Sequence, residues 1–480
     1  MASSRRPNVL WIIADELRTD ALSCYGHPTA RLATPAIDRL AERGTTFLNF
    51  FCNSPICVSS RASMLTATEP EENTVYGNEG GWRSFPYVNR FRSFPERFAA
   101  AGYATANFGK SHVPPGLEPW QLNDQRGGTI VDFLDGCDPA AMDLVVTPTL
   151  GSPLGGVFPE DRPFPGCTVT DNALAWLARH GRSDQPFLLR LSYLQPHTPV
   201  TPPVAWRERW RDEPFPDLVG KPGTTSVFER ALADAIRGDA LGARERRRVQ
   251  YEYYGLVGWL DDQVRRVLAA LSDADLERDT IVVFTSDHGV SLGERGLFSK
   301  LVFAPQVHRI PGIVAWPGRL QGGVRRDDLA QPLDLARTLC GLCGIAPDDH
   351  CGGRDLFAAD APAHVFATVG FGHDGSLAFP NTRLGQWPDG SFWPRRACVR
   401  TRRWRLDMSV RKDGRPTGPA QEDIFLCDWL ADPGESRNLA REPGLQPVVH
   451  ALADLLRERA ARAVEPAFIP AFSAAERGLH

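Results

Sequence analysis

Two short runs restrict the fold of this chain more than any other feature: NVLWIIA at 8–14 and TIVVFTS at 280–286. Both are continuous in apolar and β-branched residues. They lack the polar alternation of a strand that wets one face. That texture predicts strands buried on both sides, as in a parallel sheet covered by helices. Each run stops on polar residues, Asp15-Glu16 after the first and Asp287-His288 after the second.

Helical patterns lie between the strands. TPAIDRLAER at 34–43 opens on Thr-Pro and closes before Gly44, and SFPERFAAA at 93–101 closes at Gly102. Further helices are predicted over 170–181 and 243–272. Strands are predicted over 103–108, leading into Gly109-Lys110-Ser111-His112, and over 186–194, leading into Gln195-Pro196-His197-Thr198-Pro199. This alternation predicts an α/β fold with a large, mostly parallel central sheet flanked by helices. Ligands of open α/β sheets bind at the carboxyl ends of the strands. Asp15, Lys110, His197 and Asp287 all fall there. Residues 113–165, rich in Pro, Gly and Asp, read as long loops over the sheet edge. Past about residue 352 the texture changes. The runs 398–410 and 422–430, a turn at 412–414 and a helix over 447–463 predict a smaller α+β unit with an antiparallel sheet. The expected division is therefore 1–352 and 353–480.

Composition removes several function classes. At 480 residues the chain exceeds one small core. A net charge of -4 gives no basic patch for a nucleic acid. No apolar run approaches the roughly 18 residues of a membrane span. The N-terminal apolar run carries Asn8 and ends in acids, so it reads as a strand rather than a secretory leader. A cytoplasmic protein with ten reduced cysteines follows. Cys340 and Cys343 sit at i and i+3 of a helical pattern, which reads as one buried face rather than a zinc site. Four of the 54 basic residues are lysine: Lys110, Lys221, Lys300 and Lys412. A lysine can shift its pKa and move a proton, which arginine cannot. Two of the four fall inside the motifs below.

A carboxylate pair after one buried strand and a carboxylate–imidazole pair after another predict a divalent-metal site. The motifs resemble those of the sulfatase family, of the alkaline-phosphatase-like superfamily. NVLWIIADELRTDALSCYG and TPAIDRLAERGTTF resemble its opening strand, metal acids and first helix. Cys57-Val58-Ser59-Ser60-Arg61 resembles its nucleophile segment. GKSH, PHTP and TSDHGVSLGERGLFSK resemble three further active-site segments, and DWLADPGESRNLA its C-terminal signature. The Asp-His form, with CNSP before the nucleophile, is closest to the choline-sulfatase branch.

The resemblance implies a role for each matching residue. Asp15, Glu16, Asp287, His288 and modified Cys57 would hold one divalent ion, Ca2+ first and Mn2+ as the alternative, because imidazole is a poor calcium ligand. A formylglycine-generating enzyme would oxidise Cys57 to formylglycine. The hydrated aldehyde would attack a small anionic sulfate ester or sulfamate and form a covalent sulfo-enzyme. Arg61, Lys110 and Lys300 would supply positive charge. His197 with Lys300 would protonate the leaving oxygen, and His112 would take a proton to release sulfate. Asn78 would contact substrate.

The nucleophile segment departs from the family at Ser59, where the pattern has proline, and at Ala67-Thr68-Glu69, where it has Thr-Gly and a polar residue. Two alternatives follow: a phosphodiester or phosphonate monoester hydrolase of the same superfamily, and a sulfatase-like protein with unmodified Cys57. Specificity is expected from 113–165, 201–240 and 370–396. His27, His180 and His308 match no role, and Trp82 and Trp120 read as packing residues. The sequence does not set the oligomeric state.

Overall fold

The run 8–14 forms the strand at the centre of an eight-stranded sheet, and every residue of it is buried. The structure is a computed structural model. It describes residues 6–26, 34–78, 90–215, 225–370 and 387–465, with 218 and 372 added and 115, 116, 118, 136, 139 and 182 left out. His27, Trp82, Lys221 and most of 370–396 lie outside the described residues.

The strands in chain order are β1 (Asn8–Ala14), β2 (Gly44–Phe50), β3 (Ala104–Gly109), β4 (Leu122–Asp124), the small ribbon β5 (Val145–Val146) and β6 (Pro153–Gly155), β7 (Phe187–Tyr193), β8 (Thr280–Ser286), β9 (Gly312–Ala315) and β10 (Val324–Ala330). The large sheet runs β10-β2-β9-β8-β1-β7-β3-β4. All pairings are parallel except those of β9, which is antiparallel to β2 and β8. Leu10 and Ile12 face one core layer with the helices Gly166–His180 and Ala243–Asp273. Val9, Trp11 and Ile13 face another with the helix Cys57–Thr66. The two-sided burial read from the sequence is thus borne out. The segment 113–165 is less loop-like than expected, because β4 extends the sheet edge beside β3.

The second sheet is antiparallel and holds β11 (His364–Val369), β12 (Arg395–Thr401), β13 (Trp404–Lys412), β14 (Arg415–Pro416) and β15 (Phe425–Asp428). The run 398–410 is two strands rather than one. Arg402-Arg403 turns the chain, and β12 then pairs with β13. The helix Gln446–Arg462 packs Val449, Leu452, Ala453 and Leu456 on this sheet. Cys340 lies in the helix Asp334–Leu342 with Cys343 at its end, both buried. Trp120 packs as expected, over the guanidinium of buried Arg190 at 4.7 Å.

This smaller unit holds the outside of the Cys57 segment. Thr368 N–H donates to Asn53 O at 3.1 Å, and Gly370 N–H to Tyr76 O at 2.8 Å. Arg400 reaches inward. Its Nε donates to His308 Nδ1 at 3.0 Å, and the other ring nitrogen of His308 meets Cys52 O at 3.0 Å. An imidazole that accepts at Nδ1 is neutral and donates at Nε2. Burial, with Arg400 and Arg405 close by, accordingly holds His308 well below its ordinary pKa. The charge of Arg400 is balanced by Glu435, at 2.6 and 2.9 Å, which also takes Arg405 at 2.6 Å. All three side chains are buried. Removing one partner of such a group costs about 3–5 kcal/mol, because the remaining charge stays out of water. Glu435→Ala is therefore expected to lower the thermal midpoint by several degrees, whereas truncating exposed Glu458, which pairs with Arg462 on the surface, moves it little. Differential scanning calorimetry of the two variants checks this.

Candidate active site

Four adjacent strands, β8-β1-β7-β3, deliver the polar residues to one edge of the sheet. Asp287 follows β8, Asp15 follows β1, Lys110 follows β3, and His197 lies four residues past β7. The helix Cys57–Thr66 points its N-terminus at this edge, so Cys57 occupies the first helical position. Unpaired N–H groups and the helix dipole favour negative charge there.

Arg61 ties the strand ends together. Its Nη2 meets Asp15 Oδ2 at 3.0 Å and its Nε meets Asp287 Oδ2 at 2.8 Å. Its Nη1 donates to Ser192 Oγ at 2.9 Å and Lys110 O at 3.3 Å. Arg61, Asp15 and Asp287 are fully buried. Lys110 Nζ adds a second cation, 2.5 Å from Asp15 Oδ2. Burial and the Cys57 charge push Asp15 up, but Lys110, His197 and Arg61 outweigh them and hold it ionised well below the usual range. Asp287 goes the other way, raised by burial and by facing Asp15.

Around Cys57 Sγ lie His288 Nε2 at 3.1 Å, Lys300 Nζ at 3.2 Å and Asp15 Oδ1 at 3.7 Å. His112 is hydrogen-bonded to the same sulfur. Burial alone would raise the thiol pKa. The charges of Lys110, Lys300 and His288 reverse that and hold Cys57 well below its ordinary value. Burial and Lys110 push His112 down to about 4, so it is neutral and able to accept a proton near pH 7. Ligand atoms of Asp15, Cys57, Asp287 and His288 all lie within 4.8 Å of one another, in a fully buried group. The set of two carboxylates, an imidazole and residue 57 fits a divalent cation. The His288 ring is oriented by Nδ1 against Gly289 O at 2.8 Å, which directs Nε2 at the group, as for metal-bound imidazoles. Asp287 and the Cys57 charge raise His288 to about 9 against the opposing effect of burial, and a cation there would replace that proton.

The remaining expected residues also reach the cluster. Lys300 Nζ touches Glu16 Oε1 at 2.6 Å and His197 Nε2 at 3.2 Å. Asn78 lies one layer back, where its Oδ1 accepts from Val58 N–H at 2.8 Å and caps the first turn. Ser59 donates its buried hydroxyl to Val75 O. Its own N–H precedes the first intrahelical bond, Ser60 N to Ile56 O. Ser192, Ser286 and Tyr253 escape the sequence reading. Ser192 holds Arg61, Ser286 Oγ meets Leu17 N and Ala14 O, and Tyr253 OH donates to Glu16 O. Ser192 and Ser286 carry one sequence signal, a hydroxyl at the end of a mostly apolar strand, and Tyr253, in an amphipathic helix, carries none.

A buried cluster of carboxylates, lysines and imidazoles at the carboxyl edge of a mostly parallel sheet, beside a cysteine at a helix start, fits a hydrolase of the alkaline-phosphatase-like superfamily. Comparison with known proteins narrows this. The chain belongs to the sulfatase family, whose model matches residues 7–345, and it is a sulfuric ester hydrolase. It is 28% identical to an arylsulfatase of Clostridium perfringens over 384 residues, 73% of this chain and 78% of that one. It is 27% identical to a choline-sulfatase of Rhizobium meliloti over 376 residues, 72% and 69% of the two chains. In fold it is similar to a phosphonate monoester hydrolase of Silicibacter pomeroyi, with TM-score 0.78, 20% identity and 96% of each chain covered.

A lysine at 61 cannot span Asp15, Asp287 and Ser192 at once, because its donors converge on one atom. Arg61→Lys is expected to lower kcat/KM on 4-nitrophenyl sulfate by about 10²-fold or more, the scale of losing a preorganised charged donor. Steady-state kinetics beside a circular-dichroism check of folding tests this.

Proposed function

We propose that this sulfuric ester hydrolase cleaves a sulfate ester or sulfamate of a small organic molecule, with formylglycine at position 57 as nucleophile and one divalent cation beside it. The convergence of Asp15, Asp287, His288, Lys110 and Lys300 on residue 57 carries this reading. A sulfate monoester is an anion, and these cations balance the charge that gathers on its oxygens as sulfur is attacked.

Asp15, Glu16, Asp287, His288 and residue 57 would hold the cation, calcium first, with manganese, which takes an imidazole more readily, as the alternative. When bound, the cation would polarise a sulfuryl oxygen and lower the pKa of the attacking hydroxyl. As the new S–O bond forms, the bond to the leaving oxygen breaks, and that oxygen takes its proton from His197, backed by Lys300. Neutral His112 would then take the proton of the second geminal hydroxyl, so that the aldehyde C=O re-forms as the C–O bond to the sulfate breaks and sulfate leaves. Asn78, its oxygen used on Val58, would have its amide N–H left to donate to substrate. None of the ten cysteines forms a disulfide, which suits a reducing compartment and supports a cytoplasmic protein. No helix among the described residues is long and apolar enough to cross a membrane.

Ser59 bears on maturation rather than catalysis. Its N–H precedes the first intrahelical bond, so the proline that the family pattern carries would remove no helix hydrogen bond there. Intact-mass analysis of the peptide containing residue 57 is expected to show a species about 18 Da lighter than cysteine, from exchange of the thiol for an aldehyde. Ser59→Pro is expected to increase that fraction, at the cost of the hydroxyl bond to Val75 O. Cys57→Ala should abolish turnover, and unchanged activity would remove the nucleophile assignment. Wild-type enzyme should favour 4-nitrophenyl sulfate over bis(4-nitrophenyl) phosphate. A many-fold reversal would instead make it a phosphodiester or phosphonate hydrolase, the function of a protein that shares its fold.

A further inference from the structure

Arg190 stands in the middle of β7, between Leu189 and Leu191, with Trp11 of β1 and Asn107 of β3 as its strand neighbours. The side chain is completely buried. Its Nε donates to Asn107 Oδ1 at 2.7 Å, whereas Nη1 and Nη2 have no hydrogen-bond partner. The guanidinium carbon lies 5.4 Å from the ring centroid of Trp11 and 4.7 Å from that of Trp120. The indole N–H groups of both rings are likewise buried and unpaired.

Among the described residues every other buried arginine has a carboxylate. Arg61 has Asp15 and Asp287, Arg396 has Asp407, Arg400 and Arg405 share Glu435, Arg395 has Glu465 and Arg18 has Asp20. Arg190 has none. Burial and the nearby Arg61, a second cation, both act against its charge. A guanidinium cannot escape by losing its proton, so a charge held out of water there needs a balancing one. Two indole faces supply cation–π attraction, but they carry no net charge and leave the Nη donors unused.

We propose that Arg190 anchors a buried site for a small monovalent anion, chloride or another halide, held by Nη1 and Nη2 inside the Trp11–Trp120 pocket. One negative charge balances one guanidinium, whereas a dianion such as sulfate would leave a charge over. A halide accepts hydrogen bonds and has no proton of its own to satisfy among apolar neighbours. Water would fill the bonds and leave the charge. The site is separate from the reaction centre yet wired to it. Ser192, on the same face of β7 and about 7 Å further along the strand, holds Arg61. Asn107, which takes the Nε bond, also donates to Gly109 O at 3.1 Å, next to Lys110. The inference does not depend on which ester the enzyme cleaves.

The test uses the full chain exchanged into sodium gluconate, then returned to chloride or bromide at equal ionic strength. Wild type is expected to gain about 2 °C or more in thermal midpoint in saturating halide. Arg190→Met should lose that dependence, and in gluconate should melt above wild type because an unbalanced charge has gone. Chloride carried through the exchange is counted by ion chromatography after denaturation. A stoichiometric amount on wild type marks an ion too tightly held to exchange and stands in for the thermal gain. Wild-type crystals grown in bromide should give an anomalous peak within hydrogen-bond distance of Nη1 or Nη2. A peak with neither a halide-dependent midpoint nor retained chloride is an adventitious ion only and overturns the proposal. Water or a carboxylate of the chain on those nitrogens overturns it too. So does a thermal gain that Arg190→Met keeps, which places the halide elsewhere. Should Arg190→Met not fold, the wild-type crystal, midpoint and chloride count decide alone.

Discussion

The bridging of Asp15 and Asp287 by Arg61 is the interaction on which the rest of the site depends. Neighbouring strands β1 and β8 end in carboxylates that are fully buried and close together. Two such charges repel and lose their hydration, so neither would stay ionised alone. The guanidinium has donors in a planar fork, which lets one side chain satisfy both acids and Ser192 on β7. Because Arg61 belongs to the helix Cys57–Thr66, the same contacts fix where Cys57 stands relative to the acids. Charge balance and the placement of Cys57 are therefore one structural event.

Cations and anions interleave across the cluster. Lys110 lies on Asp15 and Lys300 on Glu16, and both act on Cys57. Their combined effect overcomes a burial that would otherwise keep residue 57 neutral. Neutral His112 is hydrogen-bonded to the same sulfur. Neighbouring groups shift in opposite directions, Asp15 down and Asp287 up, His112 down and His288 up, according to the charges that each one faces.

The small C-terminal unit takes part in this arrangement from outside. Gly370, Thr368 and Arg400 reach the segments on either side of Cys57, through Tyr76, Asn53 and the His308–Cys52 link. The Cys57 segment is thus held between the large sheet and the antiparallel sheet.

The sequence by itself determined the strands and the kinds of chemistry at their ends. NVLWIIA and TIVVFTS carry their burial in their own composition, and Asp15, Lys110, His197 and Asp287 are legible as residues past strand ends. The two rare lysines in motifs pointed to the same edge. Tertiary structure alone decided how those residues are shared. It ordered the strands β8-β1-β7-β3, so that positions 272 residues apart, such as Ala14 and Ser286, became neighbours. It also turned the Glu16 carboxylate toward Lys300 and His197, put Ser59 against Val75 and recruited Ser192 to Arg61. The physical reason is range. Periodicity and propensity act within a few residues, whereas ion pairing among buried groups depends on which distant strands lie side by side.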